Sequence, residues 1–274
     1  MTGSGGEAAG AYYLPRGDGV FTATIATESP WDPKAQHGGP PCALFGHVMR
    51  ENHPDPGFRI ARLTVEFLGS IPRADIGVST EIVRDGRRIR LIEATMTSGG
   101  KKVALARAWQ IATGGEGLLD GAQLYGAKES EVPALPPEQP GKTFGGKERW
   151  GYGESVEGRR VRGSYRGTGY AQVWMRTKIP LVAGVPVHPL DRVLVVADSA
   201  NGVSARLDMR EWLFVPPAVT ITLHRYPAGE WVLISARSDL ADDGLGSTSG
   251  TLSDFSGPLG SVTQPLLVAP APRP

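Results

Sequence analysis

Asp198 is the residue whose type and position most strongly suggest chemistry. It ends the dense apolar run at residues 193–197, which has no solvent-facing stripe and is therefore expected inside the protein, as helix or strand. A carboxylate that leaves water without a partner loses much solvation free energy, so a buried one is hydrogen-bonded, protonated or retained for a reaction. Asp198 is thus a candidate general base, with a structural carboxylate at the end of an element as the alternative.

A second set of candidates precedes residues 42–50, where apolar residues recur at helical spacing. Unpaired N–H groups and the dipole at the start of a helix favour negative charge, and glycine allows close approach. Gly38 and Gly39 are therefore predicted to bind a substrate oxyanion, unless they only ease a tight turn. His37 either contacts substrate or makes a local hydrogen bond. Cys42 is interpreted as a small core residue, because no paired histidine is evident.

Composition limits the classes of protein that fit. The 274 residues, 40% hydrophobic and 21% charged, suffice for two packed cores. The 29 basic and 28 acidic side chains nearly cancel, which argues against a nucleic-acid partner. One cysteine excludes an intrachain disulfide, and the sequence lacks an apolar run of about 18 residues that could span a membrane. We therefore expect a cytoplasmic protein. Cys and His residues do not occur at metal-ligand spacing, so no metal or other cofactor is expected.

The elements that must position these residues fall into two similar halves. In the first half, strands are predicted at residues 19–27, 60–69, 75–85, 88–97 and 101–111, with a helix at 42–50. In the second half, strands are predicted at residues 169–178, 215–225, 230–239, 247–254 and 260–268. The apolar run 190–201 occupies the place of the first helix and is predicted to be helical.

Aligning residues 63–68 with 219–224 gives an offset of 156, and element order recurs at this spacing, which indicates a duplicated fold. The predicted organisation is a flexible tail at 1–18, an N-terminal unit at 19–112, a Gly- and Pro-rich linker at 113–149 and a C-terminal unit at 150–270. About five antiparallel strands curled round one helix make a hotdog unit, so the fold class is α+β, a double hotdog.

On these features the chain resembles the thioesterase-like superfamily of double-hotdog proteins, of the acyl-CoA thioesterase II type. The resemblance covers residues 19–268, and its carriers are His37-Gly38-Gly39, Asp198, the segments 223–227 and 229–231, and Gln264. It implies that water is activated by an Asp on the second helix, a Thr early in the following strand and a Gln in the last strand. Asp198 and Gln264 match the first and third.

Pro216 stands at or beside the position of the family threonine, and Thr220 and Thr263 are candidates to replace that hydroxyl. In the predicted reaction Asp198 takes a proton from water, while Gln264 holds the water through its amide group.

These residues predict an acyl-CoA thioesterase of lipid metabolism, with acyl-CoA as its small-molecule substrate. The alternative, motivated by Pro216, is an acyl-CoA-binding protein with little or no hydrolytic activity. An enoyl hydratase of the same fold fits less well, because that group has a histidine where Val203 stands.

A basic cluster in the first half could hold the phosphates of CoA, although charged hairpins also serve solubility. Its members are Arg59, Arg62, Arg84, Arg87, Arg88, Arg90, Lys101 and Lys102. Because a hotdog sheet leaves an outer face and edges uncovered, a homodimer is also expected.

Overall fold

The computed structural model describes residues 10–115, 117–123, 132–139, 149–163 and 169–271. Its strands are β1 (Tyr13–Gly17), β2 (Val20–Ala23), β3 (Phe58–Phe67), β4 (Asp75–Asp85), β5 (Ile89–Ser98), β6 (Lys101–Ala112), β7 (Val156–Arg162), β8 (Tyr170–Thr177), β9 (Trp212–Val215), β10 (Ala218–Leu223), β11 (Val232–Leu240), β12 (Leu245–Asp254) and β13 (Gly257–Pro270). Its helices are α1 (Gly39–Asn52), α2 (Gly151–Ser155), α3 (Pro189–Ala197) and α4 (Ala200–Val203), with a 3-10 helix at Ile25–Thr27.

The strands form one 13-stranded antiparallel sheet that carries both halves of the molecule. Its order is β1-β2-β4-β5-β6-β3-β10-β13-β12-β11-β8-β7, and β9 pairs with β13. The halves meet where β3 pairs with β10, with Thr64 opposite Thr220. These threonines are 156 residues apart and their hydroxyls lie 3.1 Å from each other. The repeat offset therefore marks a local twofold relation at the junction, and the α+β double hotdog is confirmed.

Helices α1 and α3 run antiparallel through the centre of the molecule. Gly39 at the start of α1 faces Val195 near the end of α3, and Arg50 near the end of α1 pairs with Asp191 at the start of α3. A Cβ at Gly39 would overlap the carbonyl oxygen of Val195. All residues of α1 from Gly39 to Met49 are buried, as expected of a helix without a solvent-facing stripe. Each helix therefore begins beside the end of the other.

The N-terminal part of the chain differs from the prediction. Residues 13–17 form β1, and Tyr12 and Tyr13 are fully buried, so the predicted tail at 1–18 is wrong for these residues. Residues 1–9 lie outside the described part. The strand predicted at 19–27 ends at Ala23, because the Thr24 hydroxyl accepts the N–H of Ala26 and begins the 3-10 helix.

In the second half, Pro216 and Pro217 divide the predicted strand 215–225 into β9 and β10, since proline cannot donate to a ladder. Likewise the predicted helix 190–201 is divided into α3 and α4 at Asp198 and Ser199. Strand β7 and helix α2 were not predicted.

Part of the predicted linker packs onto the second half. Within residues 132–139, the carbonyl of Pro133 accepts the indole N–H of Trp174 at 3.1 Å, and Gln139 exchanges hydrogen bonds with the backbone of Arg160. Val132 and Leu135 pack against the buried cluster of Trp174, Trp231 and Leu233. Residues 116, 124–131 and 140–148 of this linker lie outside the described residues.

Candidate active site

Asp198 lies at the C-terminal end of α3 with only 4% of its surface exposed. Its Oδ1 accepts a 3.0 Å hydrogen bond from Nε2 of Gln264 on β13. The backbone N–H of Gly38, at the N-terminus of α1, also hydrogen-bonds to the carboxylate. Because α1 and α3 are antiparallel, the positive end of one helix dipole faces the carboxylate at the end of the other. The structure thus brings together three of the predicted site residues.

The amide of Gln264 is fully occupied by the protein. Its Nε2 donates to the backbone carbonyl of Asp198 at 3.1 Å as well as to Oδ1, and its Oε1 accepts the N–H of Asn201 at 3.1 Å. Gln264 is only 1% exposed. These backbone groups lie at the break between α3 and α4, where they lack helical partners, and the side chain from β13 satisfies them. Both N–H groups of Gln264 therefore donate to Asp198, and its predicted role of holding a water stays a prediction.

The predicted oxyanion donors at the start of α1 are occupied too. The Gly39 N–H donates to Nδ1 of His37 at 3.1 Å, and the two prolines that follow have no N–H. The close approach that glycine permits at Gly38 is made by Asp198 itself, since a Cβ there would lie 2.7 Å from Oδ2. The N–H groups of Gly38 and Gly39 thus both have protein acceptors, and their predicted binding of an oxyanion stays a prediction.

His37 lies in the wall of the cavity beside Asp198. Because Nδ1 accepts the N–H of Gly39, the neutral ring carries its proton on Nε2. Burial lowers the pKa of His37 to about 3, so its 3.6 Å approach to Oδ2 of Asp198 is not an ion pair near neutral pH. His37 is therefore a neutral hydrogen-bond donor next to an acidic group.

Tyr152 is a site residue that the sequence analysis missed. Its ring stacks on His37 with 3.9 Å between centroids and 9° between planes. Its hydroxyl donates to the carbonyl of Val195 at 3.0 Å and lies 2.9 Å from Oγ of Ser199. Helix α2 is thereby tied to the end of α3. The sequence signal was an aromatic pair, Trp150 and Tyr152, in a glycine-rich stretch.

Burial raises the pKa of Asp198 to about 6, although the hydrogen bonds from Gln264 and Gly38 favour the ionised form. A carboxylate with this pKa is ionised at neutral pH and is more basic than an exposed aspartate. This environment suits general-base chemistry.

A cavity of about 400 Å³ adjoins Asp198 and His37. Its lining is mainly apolar and includes Trp31, Phe67, Ile71, Phe214 and Leu267. No lysine or arginine contributes to this lining within the described residues. The cavity therefore suits an apolar group placed beside a buried carboxylate.

Pro216 also lines this cavity, at the break between β9 and β10 where the resemblance predicts a threonine. Neither proposed replacement lies there. The hydroxyl of Thr220 bonds to Thr64 at the junction of the halves, and Thr263 is exposed on β13.

Cys42 is fully buried, and burial followed by the charge of Asp198 raises the pKa of its thiol well above the ordinary value. This environment fits the interpretation of Cys42 as a core residue. Among the described residues, no group of three or more His, Cys, Asp or Glu could hold a metal ion. Within that same part of the chain, no helix is long and apolar enough to cross a membrane.

Solved structures of other proteins share this fold. A conserved hot dog protein of unknown function from Alicyclobacillus acidocaldarius superposes with a TM-score of 0.71 and 18% identity, with 93% of each chain covered. An acyl-CoA thioesterase II from Mycobacterium marinum has a TM-score of 0.65 and 18% identity, over 96% of this chain and 97% of that one. No curated protein matches the sequence. The fold therefore defines a double-hotdog protein.

Two family models divide the chain between them. Residues 27–111 match the acyl-CoA thioesterase N-terminal domain, and residues 129–268 match the acyl-CoA thioesterase C-terminal domain. The chain belongs to the acyl-CoA thioesterase family, as the resemblance predicted.

Proposed function

We propose that this protein hydrolyses an acyl-CoA thioester to the free acid and CoA, with Asp198 as general base. The observation that carries the proposal is a buried carboxylate in the wall of an apolar cavity, hydrogen-bonded by Gln264 and facing the start of α1. Family membership supports thioester hydrolysis as the reaction class.

In this reaction the acyl chain lies along the apolar lining, and a water lies between Oδ2 of Asp198 and the thioester carbonyl carbon. Asp198 takes a proton from the water as its oxygen bonds to that carbon. The tetrahedral intermediate then breaks its carbon–sulfur bond, and the departing thiolate receives the proton from Asp198. The products are the free acid and the CoA thiol.

His37 supplies the donor for the oxyanion in this proposal. The N–H groups of Gly38 and Gly39 already serve protein acceptors, whereas His37 is neutral with its proton on Nε2 and lies in the cavity wall. A hydrogen bond from Nε2 to the carbonyl oxygen strengthens as that oxygen gains charge. Tyr152 keeps the ring in place by stacking.

Gln264 acts through Asp198 in this scheme. Its amide donates to the backbone carbonyl and to Oδ1 of Asp198, which holds the carboxylate in one orientation and leaves Oδ2 free of Gln264. The N–H of Asn201 fixes the amide of Gln264 in turn.

The Asp198→Asn variant tests the proposal, because it keeps the shape of the side chain and removes the base. We expect thiol release across a panel of acyl-CoAs to fall by at least about a hundredfold, within the range of general-base contributions. Asp75→Asn, at an exposed strand position, is the matched control and should keep full activity. Equal rates for Asp198→Asn and the unsubstituted protein would exclude this assignment.

A second candidate function is binding of acyl-CoA with little hydrolysis. It is favoured by Pro216, which gives the cavity wall no hydroxyl at the place of the family threonine. Calorimetry should then detect acyl-CoA binding without release of free thiol.

The Pro216→Thr variant separates the two functions. If the missing hydroxyl limits hydrolysis, the substitution should raise the rate of thiol release several-fold, because one more hydrogen-bond donor reaches the reacting water. Pro217→Thr, also in the cavity wall, is the control for loss of a proline. An unchanged rate in Pro216→Thr would show that activity does not depend on this position.

The proposal also includes a place in lipid metabolism, a cytoplasmic location and a homodimer. The presence of a single cysteine is compatible with a reducing compartment. Strand β7 lies at one end of the strand order, and an edge strand of this kind supports self-association.

A further inference from the structure

The molecule has a second cavity, of about 590 Å³, at the opposite end of the helix pair. It lies where α3 begins and α1 ends, whereas the candidate active site lies where α1 begins and α3 ends. Arg50 and His188 are among its lining residues. The near-twofold relation between the halves therefore gives each end of the helix pair a cavity.

The two helix starts are built alike. Nδ1 of His37 accepts the N–H of Gly39, and Nδ1 of His188 accepts the N–H of Leu190, both at 3.1 Å. Each histidine lines the cavity at its own end. His188 thus corresponds to His37, and its neutral ring likewise carries the proton on Nε2.

The helix ends differ in charge. Counting from the two N–H donors, His47 stands where Asp198 stands, and Arg50 stands where Asn201 stands. At the place corresponding to Gln264, strand β6 has Ala108, given the offset of the paired strands. At these corresponding positions there is neither a carboxylate nor a side-chain amide. Cationic and neutral side chains therefore stand there in place of the groups that would activate water.

The acidic residues near this cavity already have partners. Asp191 accepts hydrogen bonds from Arg50 at 2.8 Å and from the N–H of His188 at 3.4 Å. Asp55 accepts from the N–H of Gly57 at 2.9 Å and from Arg90 at 3.4 Å. Glu51, exposed at the end of α1, is the remaining acidic side chain in the lining.

Two arginines contribute to this lining. Arg59 is exposed in the lining and forms no ion pair with the residues that the structure describes. Nε of Arg50 is buried and has no hydrogen-bond partner within the described part of the chain. The predicted basic cluster therefore lies in part around this second cavity.

We propose that the second cavity binds a phosphate-bearing small molecule and does not hydrolyse it. Arginine is well suited to phosphate oxygens, and Arg50, Arg59 and the Nε2–H of His188 provide donors. The polar lining does not suit a long acyl chain, so a fatty carboxylate is the less suitable anion. A volume of about 590 Å³ exceeds that of an inorganic phosphate and accommodates a nucleotide-sized ligand. The proposal does not depend on hydrolysis at Asp198.

The test is calorimetric titration of the full chain. The probes are adenosine 3′,5′-bisphosphate, inorganic phosphate and decanoate. We expect the bisphosphate to bind, and Arg59→Met to weaken it about tenfold or more, as for loss of a charged hydrogen bond. Arg237→Met, at an exposed arginine of β11 that pairs with Asp239 on the same strand, is the matched control and should bind as before.

Arg50→Met alone would leave Asp191 buried without its partner, so the double variant Arg50→Met with Asp191→Asn is the second test. It should also weaken the bisphosphate about tenfold. Equal binding of both phosphate probes supports recognition of a free phosphate group, and preference for the bisphosphate supports a nucleotide. Absence of phosphate binding, binding unaffected by both variants, or stronger Arg59-dependent binding of decanoate would overturn the proposal.

Discussion

Asp198 and His37 lie side by side, and burial shifts their pKa values in opposite directions. It raises that of the carboxyl to about 6 and lowers that of the imidazole to about 3, because in each case the charged form loses solvation. Near neutral pH the pair is a carboxylate beside a neutral imidazole. One residue can accept a proton and the other can donate a hydrogen bond, which is the division of roles that thioester hydrolysis requires.

The pH dependence of the reaction tests this division at the scale of the residue. We expect kcat/KM to rise with pH through about 6 and then level, since Asp198 must lose its proton to act as base. Gln264→Leu removes a hydrogen bond that lowers the pKa of Asp198, so the midpoint of the profile should move to higher pH and the rate should fall. The measurement is the initial rate of thiol release from pH 4.5 to 9, an interval chosen to span about 1.5 pH units below the midpoint.

Gln172→Leu provides the control for that substitution. Gln172 is also a strand glutamine, and its amide bonds to Ser235 away from the cavity. Its profile should keep the original midpoint. A Gln264→Leu profile with the same midpoint as the unsubstituted protein would contradict the orienting role of Gln264.

At the scale of the element, the contact between α1 and α3 decides whether the site forms. The start of α1 reaches Asp198 because Gly39 lets its backbone lie against the carbonyl of Val195. Within a helix, glycine ordinarily lowers stability by about 1 kcal/mol relative to alanine. Here the close approach of two helices outweighs that preference.

Gly39→Ala should therefore destabilise the protein, in contrast to the usual effect of this substitution in a helix. Overpacking of this kind costs about 1–3 kcal/mol, and we expect a loss of free energy of unfolding in that range from urea titration. Gly202→Ala in α4 is the control, because a Cβ there meets nothing within 4 Å and φ is not positive. If Gly39→Ala were as stable as Gly202→Ala, this expectation would be contradicted. The helices α1 and α3 would then have moved apart without a loss in the free energy of unfolding.

At the scale of the whole molecule, the two hotdog units share one sheet and one pair of helices. β3 pairs with β10 across the junction, and the N-terminal segment crosses to the second half, where the N–H groups of Tyr12 and Tyr13 donate to the carbonyls of Pro180 and Leu181. The hydroxyl of Tyr12 also accepts a 2.9 Å hydrogen bond from Ser155. Neither half can lose its structure without exposing the core of the other.

We therefore expect a single cooperative unfolding transition. In urea, far-UV circular dichroism reports the sheet as a whole, and tryptophan fluorescence reports the clusters around Trp31 and Trp174. The two signals should share one midpoint, as two-state unfolding requires. Separate midpoints would show that the units unfold independently.

The sequence by itself determined the two repeats, the strands from β3 to β6, the central helices and the identity of Asp198 as a buried acid. These features depend on periodicity and on an apolar run with no solvent-facing side, which are properties of neighbouring residues. The offset of 156 was likewise available from the sequence, and the hydroxyl contact of Thr64 with Thr220 agrees with it.

Only the tertiary structure decided which partners the candidate site residues have. The hydrogen bonds that occupy Gln264 and the glycines come from residues distant in the chain, and no local pattern encodes such partners. The same is true of Tyr152, whose role depends on its stacking against His37. The difference between the two cavities could be read only from the near-twofold fold, which brings residues distant in the sequence to corresponding positions.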